Sequence, residues 1–190
     1  TSSGAGVSQD FEAAAGGGKL IKWYQYTETD QFTVSENSGI ADDIIMTSAT
    51  ITPASDTSGF FVMFHLHGSG TGDGPGLLIQ YSVDDGSSWT DFAPVGTADP
   101  GDSGTGRVKS HGAFGYHTKD NDETLEHIAQ GYQVAGIDTA NFKVRGGTRG
   151  DGAHYYNRTY SDLASQWGFR GVIFMNIWEV ATGVATQTAL

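Results

Sequence analysis

Few residues in this 190-residue chain are of a type and spacing that could do chemistry, and they fall in short, separate runs. Residues 82–89 read Ser-Val-Asp-Asp-Gly-Ser-Ser-Trp. Ser82 and Asp84 can bond to turn amides, Gly86 can take a backbone conformation closed to most residues, and Trp89 can pack beneath the turn. That is the chemistry of a folded hairpin, and a structural role is expected for Ser82, Asp84, Gly86 and Trp89. His65-Leu66-His67 offers something different. In a strand, the i, i+2 spacing sets both imidazoles on one face, where two nitrogens can reach one metal ion. His111, His117, His127 and His154 stand at no recognisable spacing for a third ligand. Hydrogen-bonded strand-end or interface histidines are therefore the expected reading for His65 and His67, with no metal and no other cofactor.

The remaining short motifs point to bland roles. Arg149-Gly150-Asp151 spells an integrin-binding tripeptide within a Gly-rich stretch expected to be an exposed loop, but three residues match by accident easily. Asn157-Arg158-Thr159 fits an N-glycosylation sequon, which matters only on a glycosylating secretory route. Residues 68–76 are Gly-rich yet lack the Lys-Ser/Thr and helix of a phosphate loop, so they read as a turn. Asp84, Asp85, Asp99, Asp102, Asp120 and Asp122 follow no calcium-loop pattern and read as solvated carboxylates. Flat rings suit sugar faces. Trp178 lies in an apolar strand and Trp89 in the hairpin, which leaves Trp167, Tyr155 and Tyr156 as the better exposed candidates for sugar contact. No Ser-His-Asp or Gly-x-Ser-x-Gly arrangement stands out, so the chain is not expected to be an enzyme.

The elements that must position these residues are strands. With 28 glycines, 12% aromatic and 17% charged residues, the composition suits short strands and tight turns better than helices. The length suits one domain with a real core. A formal charge of -12 with no basic cluster would repel a phosphate backbone, so nucleic acid is not an expected partner. No apolar run approaches the roughly 20 residues needed to cross a bilayer as a helix, so no membrane insertion is expected. There are no cysteines, which excludes a disulfide framework.

Along the chain, residues 1–18 are small, polar and Gly-rich, with Phe11 as their one large apolar side chain. They cannot offset their own ordering entropy, and they read as a flexible arm in which Phe11 is a candidate anchor on a neighbouring subunit. Residues 19–181 carry β-branched and aromatic runs broken by Gly, Asn and Pro, and residues 182–190 form a tail. The run 58–68 is apolar on both alternating faces, as expected for a central strand packed on each side. About nine or ten strands without a crossover helix indicate an all-β fold, an antiparallel β-sandwich of jelly-roll type with a flexible N-terminal arm. A short helical turn is expected around residues 161–166.

The pattern Ser82-x-Asp84-x-Gly86-x-Ser88-Trp89 resembles the Asp box of sialidase propellers. Such an enzyme needs several blades of about four strands around an axis, and one box in a chain this short carries no catalytic residue across. The small-residue arm, the run from Ser48 to Trp89 and the closing run from Phe169 to Ala181 together resemble the jelly-roll or tumour-necrosis-factor-like domains of tailed-virus surface proteins. The resemblance implies a non-enzymatic virion component at the particle surface, a capsid decoration or fibre protein assembled as a homotrimer. Its partners would be further copies of itself and a major capsid or other virion protein. The alternative is a carbohydrate-binding module or receptor-binding adhesin domain that meets a host-surface glycan.

Overall fold

The computed structural model describes residues 7–10, 20–71, 76–93, 110–113, 125–134, 140–157 and 171–181. All regular structure among them is β. The strands are β1 (Val7–Asp10), β2 (Leu20–Glu28), β3 (Phe32–Thr47), β4 (Gly59–Thr71), β5 (Gly76–Ser82), β6 (Thr90–Asp91), β7 (Gly112–Ala113), β8 (Leu125–Val134), β9 (Lys143–Tyr156) and β10 (Ile173–Val180).

Two antiparallel layers result. The first runs β1-β2-β10-β4-β8, and the second runs β3-β9-β5, with β6 and β7 both on the outer edge of β5. The far end of β4 crosses to the second layer, where Gly68–Thr71 pair with Ala153–Tyr156 of β9, so hydrogen bonding is continuous through all ten strands. This is the all-β sandwich that the strand count implied.

Alternation builds the core between the layers. Phe60, Val62, Phe64 and Leu66 of β4 are fully buried, as are Ile173, Met175 and Ile177 of β10. Leu77, Ile79, Phe92, Phe142, Val144 and Tyr156 meet them from the second layer. The layers touch closely where Gly146 of β9 sits over Phe64, since an added Cβ there would lie 2.7 Å from the ring. The Phe60 and Phe142 rings meet across the gap with centroids 4.5 Å apart and planes tilted by 36°. Each such side chain contributes about 1.5–3 kcal/mol by leaving water.

One carboxylate also lies in this interior. Glu179 is fully buried, and its Oε1 accepts bonds from the Ala54 amide and the Ser58 hydroxyl, both at 2.6 Å. It thereby ties the turn before β4 to the end of β10.

Several elements depart from the sequence expectation. Residues 143–156 form one long strand, so Arg149-Gly150-Asp151 lies within β9 and pairs with β3 rather than projecting from a loop. Residues 32–47 likewise form one strand with register shifts at three places. Part of the segment read as a loose arm, Val7–Asp10, pairs antiparallel with β2. Phe11, Trp167, the turn expected at 161–166 and the tail 182–190 lie outside the described residues.

Candidate functional site

The hairpin at 82–89 is built as a turn. The Ser82 hydroxyl donates to Asp84 Oδ1 at 2.6 Å and accepts the amides of Asp84 at 3.2 Å and Gly86 at 2.8 Å. Asp84 in turn accepts the Ser88 amide at 2.8 Å and the Ser88 hydroxyl at 2.6 Å. These bonds, from Ser82 first and Ser88 next, lower the Asp84 carboxyl from its ordinary value to about 2. Asp85 and Gly86 both have positive φ, 57° and 93°, which explains the glycine at the second position.

Trp89 is held from two sides. An added Cβ on Gly86 would come within 3.3 Å of its ring, and the Arg145 guanidinium lies 4.2 Å from its centroid. Asp85 anchors the turn to the sheet through Lys143 at 2.7 Å and Thr50 at 3.0 Å. The side chains of Ser82, Asp84 and Ser88 thus bond within the turn itself.

From this hairpin a polar network spreads over the outer face of the second layer. Arg145 Nε donates to Gln80 Oε1 at 2.8 Å, and Gln80 Nε2 donates to Asp91 at 2.7 Å. Arg149 grips Asp42 through Nε at 2.5 Å and a terminal nitrogen at 2.9 Å, and reaches Asp91 at 3.3 Å. The Asp42 bonds raise the Arg149 pKa further above its already high value, against the opposing effect of burial. Burial alone would raise the Asp91 carboxyl, but the bonds from Gln80 and Arg149 outweigh it and hold it below the ordinary value. His111 joins the same edge, where its Nδ1 accepts the Ile79 amide at 3.1 Å and its Nε2 bonds the Phe92 carbonyl at 2.8 Å. Among the described residues, Asp42, Gln80, Asp91, Arg145 and Arg149 thus bond to one another.

The outer face of the first layer is of another kind. Residues opposite the core on β2, β10 and β4 form rows set by the register: Trp23, Trp178 and Phe61; Gln25, Asn176 and Met63; Thr27, Phe174 and His65. His67 extends the β4 column. None of these ten residues carries a carboxylate, ammonium or guanidinium group. Nine of them are half-buried, and Asn176 at 8% exposed is the exception. The Phe61 and Trp178 rings are 5.4 Å apart, and Asn176 Oδ1 accepts Trp23 Nε1 at 3.2 Å and Gln25 Nε2 at 3.0 Å. On β8 the register sets Tyr132, Gln130 and Ile128 opposite Phe61, Met63 and His65, and the row ends with Glu126 opposite His67.

His65 and His67 belong to this face. They do lie side by side, with ring centroids 5.0 Å apart, but His65 stacks on Phe174 at 5.9 Å and 8°. An added Cβ on Gly171 would meet the His67 ring at 2.5 Å, so that ring is packed under the chain entering β10. Among the described residues, no group of three or more His, Asp or Glu side chains converges to hold a metal ion.

Several sequence readings change here. Trp178, expected in the core because its strand is apolar, points outward, while Ile177 and Met175 face in. Tyr156, read as better exposed, is fully buried and shares a 2.7 Å hydrogen bond with Thr148. Asn157 of the sequon is fully buried with φ 57°, and its Nδ2 donates to the carbonyls of Glu28 at 2.8 Å and Asp30 at 3.1 Å. That nitrogen cannot carry a glycan in this fold. Trp23 was missed, although the alternation of Trp23 with the buried Tyr24 and Tyr26 signalled its outward position.

No protein-family model and no curated protein matches the chain. Among solved structures it is similar to one described as that of infectious bursal disease virus, Gx strain, with 13% identity and a TM-score of 0.32. The similarity covers 93% of this chain and 43% of that one, so the chain spans less than half of the length of the structure it matches.

Proposed function

We propose that this protein is a non-enzymatic structural component of a virion surface, a capsid decoration or fibre protein, whose copies associate as a homotrimer through the outer face of β2, β10, β4 and β8. The observation that carries this reading is the uncharged aromatic stretch of β2, β10 and β4 on a chain of net charge -12. Copies approaching through an acidic surface repel one another, whereas the β2, β10 and β4 part of this face brings rings and amides together, with the carboxylate of its rows, Glu126 of β8, at their end opposite His67. Its flat area across four strands is roughly 500 Å². Side-chain relief brings that towards the roughly 800 Å² per partner of a standard interface. Closing the contact around an axis hides the face on every copy and leaves no open end to propagate.

The self-satisfied polar face of the second layer then points outward, where an acidic, hydrated surface keeps closely spaced copies apart. Light scattering on the purified protein tests the association. The expected mass is that of three chains, and Phe61→Glu with Trp178→Glu should return it to one chain while the far-ultraviolet spectrum stays β. A folded, monomeric wild type at high concentration would overturn the reading.

The same rings also favour the carbohydrate-binding alternative, because Trp23 and Trp178 flanked by Gln25 and Asn176 present stacking and amide groups together. A glycan column separates the two readings. Retention of a monomer, lost in Trp178→Ala, selects sugar binding.

A further inference from the structure

Strand β5 is bordered on its outer edge by two short strands, β6 against Gln80 and Tyr81 and β7 against Gly76 and Leu77. Between them lie Leu78 and Ile79, both fully buried. The Ile79 carbonyl takes the Phe92 amide at 3.1 Å, and the Leu77 carbonyl takes the His111 amide at 2.8 Å. The Ile79 amide has a side chain as its acceptor instead, since it donates to His111 Nδ1 at 3.1 Å. The other ring nitrogen, Nε2, lies 2.8 Å from the Phe92 carbonyl. A carbonyl only accepts and an amide only donates, so the two bonds together require hydrogen on Nε2 and none on Nδ1. That is the neutral ring in one tautomer. A second proton would go to Nδ1 and set two donors against each other at a buried amide.

We propose that His111 is an acid-sensitive pin, which completes the β5 edge while its ring is neutral and opens that edge when the ring takes up a second proton. The charged groups that face it are Asp91 of β6 and Arg149 of β9, already joined to each other. Burial lowers the His111 pKa from its ordinary 6.5, the Phe92 carbonyl, the Asp91 carboxylate and the Leu77 carbonyl oppose this, and Arg149 adds to it. The folded chain therefore holds this proton less tightly than the unfolded chain does. The stability that the ring contributes is complete above pH 6.5 and is lost as pH falls through that value towards the lowered one. An opened edge offers the backbone of Leu78 and Ile79 to pairing with another strand.

Hydrogen exchange on the full chain, read at single amides by NMR as protection over the intrinsic rate, tests this. The Ile79 amide should lose about tenfold or more of its protection between about pH 7.5 and about pH 5, while Val144 in β9 keeps its own. The loss should follow the protonation of His111, seen in the same sample through the nitrogen shifts of its ring. His111→Gln, whose amide can accept from Ile79 and donate to the Phe92 carbonyl without titrating, should hold the protection at both pH values. His111→Phe should lack it at both. Protection that persists at the lower pH, a hydrogen on Nδ1 at neutral pH, an acid loss that His111→Gln shares with the wild type, or full protection in His111→Phe each overturns the proposal. Where a variant fails to fold or to substitute, the wild type still decides, because an Ile79 midpoint that differs from that of the His111 ring overturns it as well.

Discussion

The two layers of the sandwich share one core and differ on their outer faces. On the second layer, Asp42, Gln80, Asp91, Arg145 and Arg149 bond to one another, and each charge on Arg149 or Asp91 has a partner within the same chain. On the first, Trp23, Phe61, Met63, Phe174 and Trp178 offer half-buried apolar surface with amides between them. A surface finished by its own ion pairs gains little from a partner, because binding would strip water from charges already paired. An aromatic surface gains by losing water. The difference teaches that two faces of one sandwich can meet a partner with opposite costs, since one is closed by its own ion pairs and the other keeps apolar surface in water.

The largest effect that would break this comparison is on association. Trp178→Glu should weaken it by about 2–4 kcal/mol per contact, as expected for a central aromatic anchor. The matching change on the other face, Thr47→Glu beside Arg145, should leave the mass in light scattering unchanged. Equal loss in both would mean that the faces are not distinct.

Next comes the shared core. Gly146→Val forces atoms into the Phe64 ring and should cost about 1–3 kcal/mol of unfolding free energy, read by denaturant titration. Monomers and assemblies should lose it alike. Arg149→Met should cost about 1–2 kcal/mol, because Asp42 and Asp91 lose a partner at a part-buried site. That loss should shrink in high salt, whereas the loss of association in Trp178→Ala, which adds no charge, should not.

The smallest effect lies in the hairpin. Ser82→Ala removes an acceptor for two amides at a buried position and should cost about 1 kcal/mol. The pH dependence of Asp84 sharpens this. Its carboxyl is held at about 2 in the folded chain, below the ordinary 3.8, so its contribution is complete above roughly pH 4 and is lost as pH falls towards 2. Thermal melts should show that acid limb in the wild type, and Ser82→Ala should flatten it. An unchanged limb would mean that Ser82 does not set the Asp84 carboxyl.

Local patterns made part of this legible. Alternation in residues 58–68 and 173–180, together with the Asp85-Gly86 turn, depends on neighbours within a few residues, so strands, sandwich and hairpin follow from the chain read in order. The partners of Arg149 do not. Asp42 is 107 residues away and Asp91 is 58, and no spacing rule joins them. For the same reason Asn157 looked like an open acceptor until the carbonyls of Glu28 and Asp30 closed over it.

What the sequence determined by itself was the fold class, the turn role of Ser82, Asp84, Gly86 and Trp89, and the excess of acidic charge, since each depends on residue type or short-range order. Which side of β4 faces water was decided only by tertiary structure. Both of its sides are apolar, and a strand's period of two separates Phe60, Val62 and Phe64 from Phe61, Met63 and His65 without saying which set is inside. The second layer settles it, because Gly146 and Phe142 fit against Phe64 and Phe60, and the other set is left facing outward.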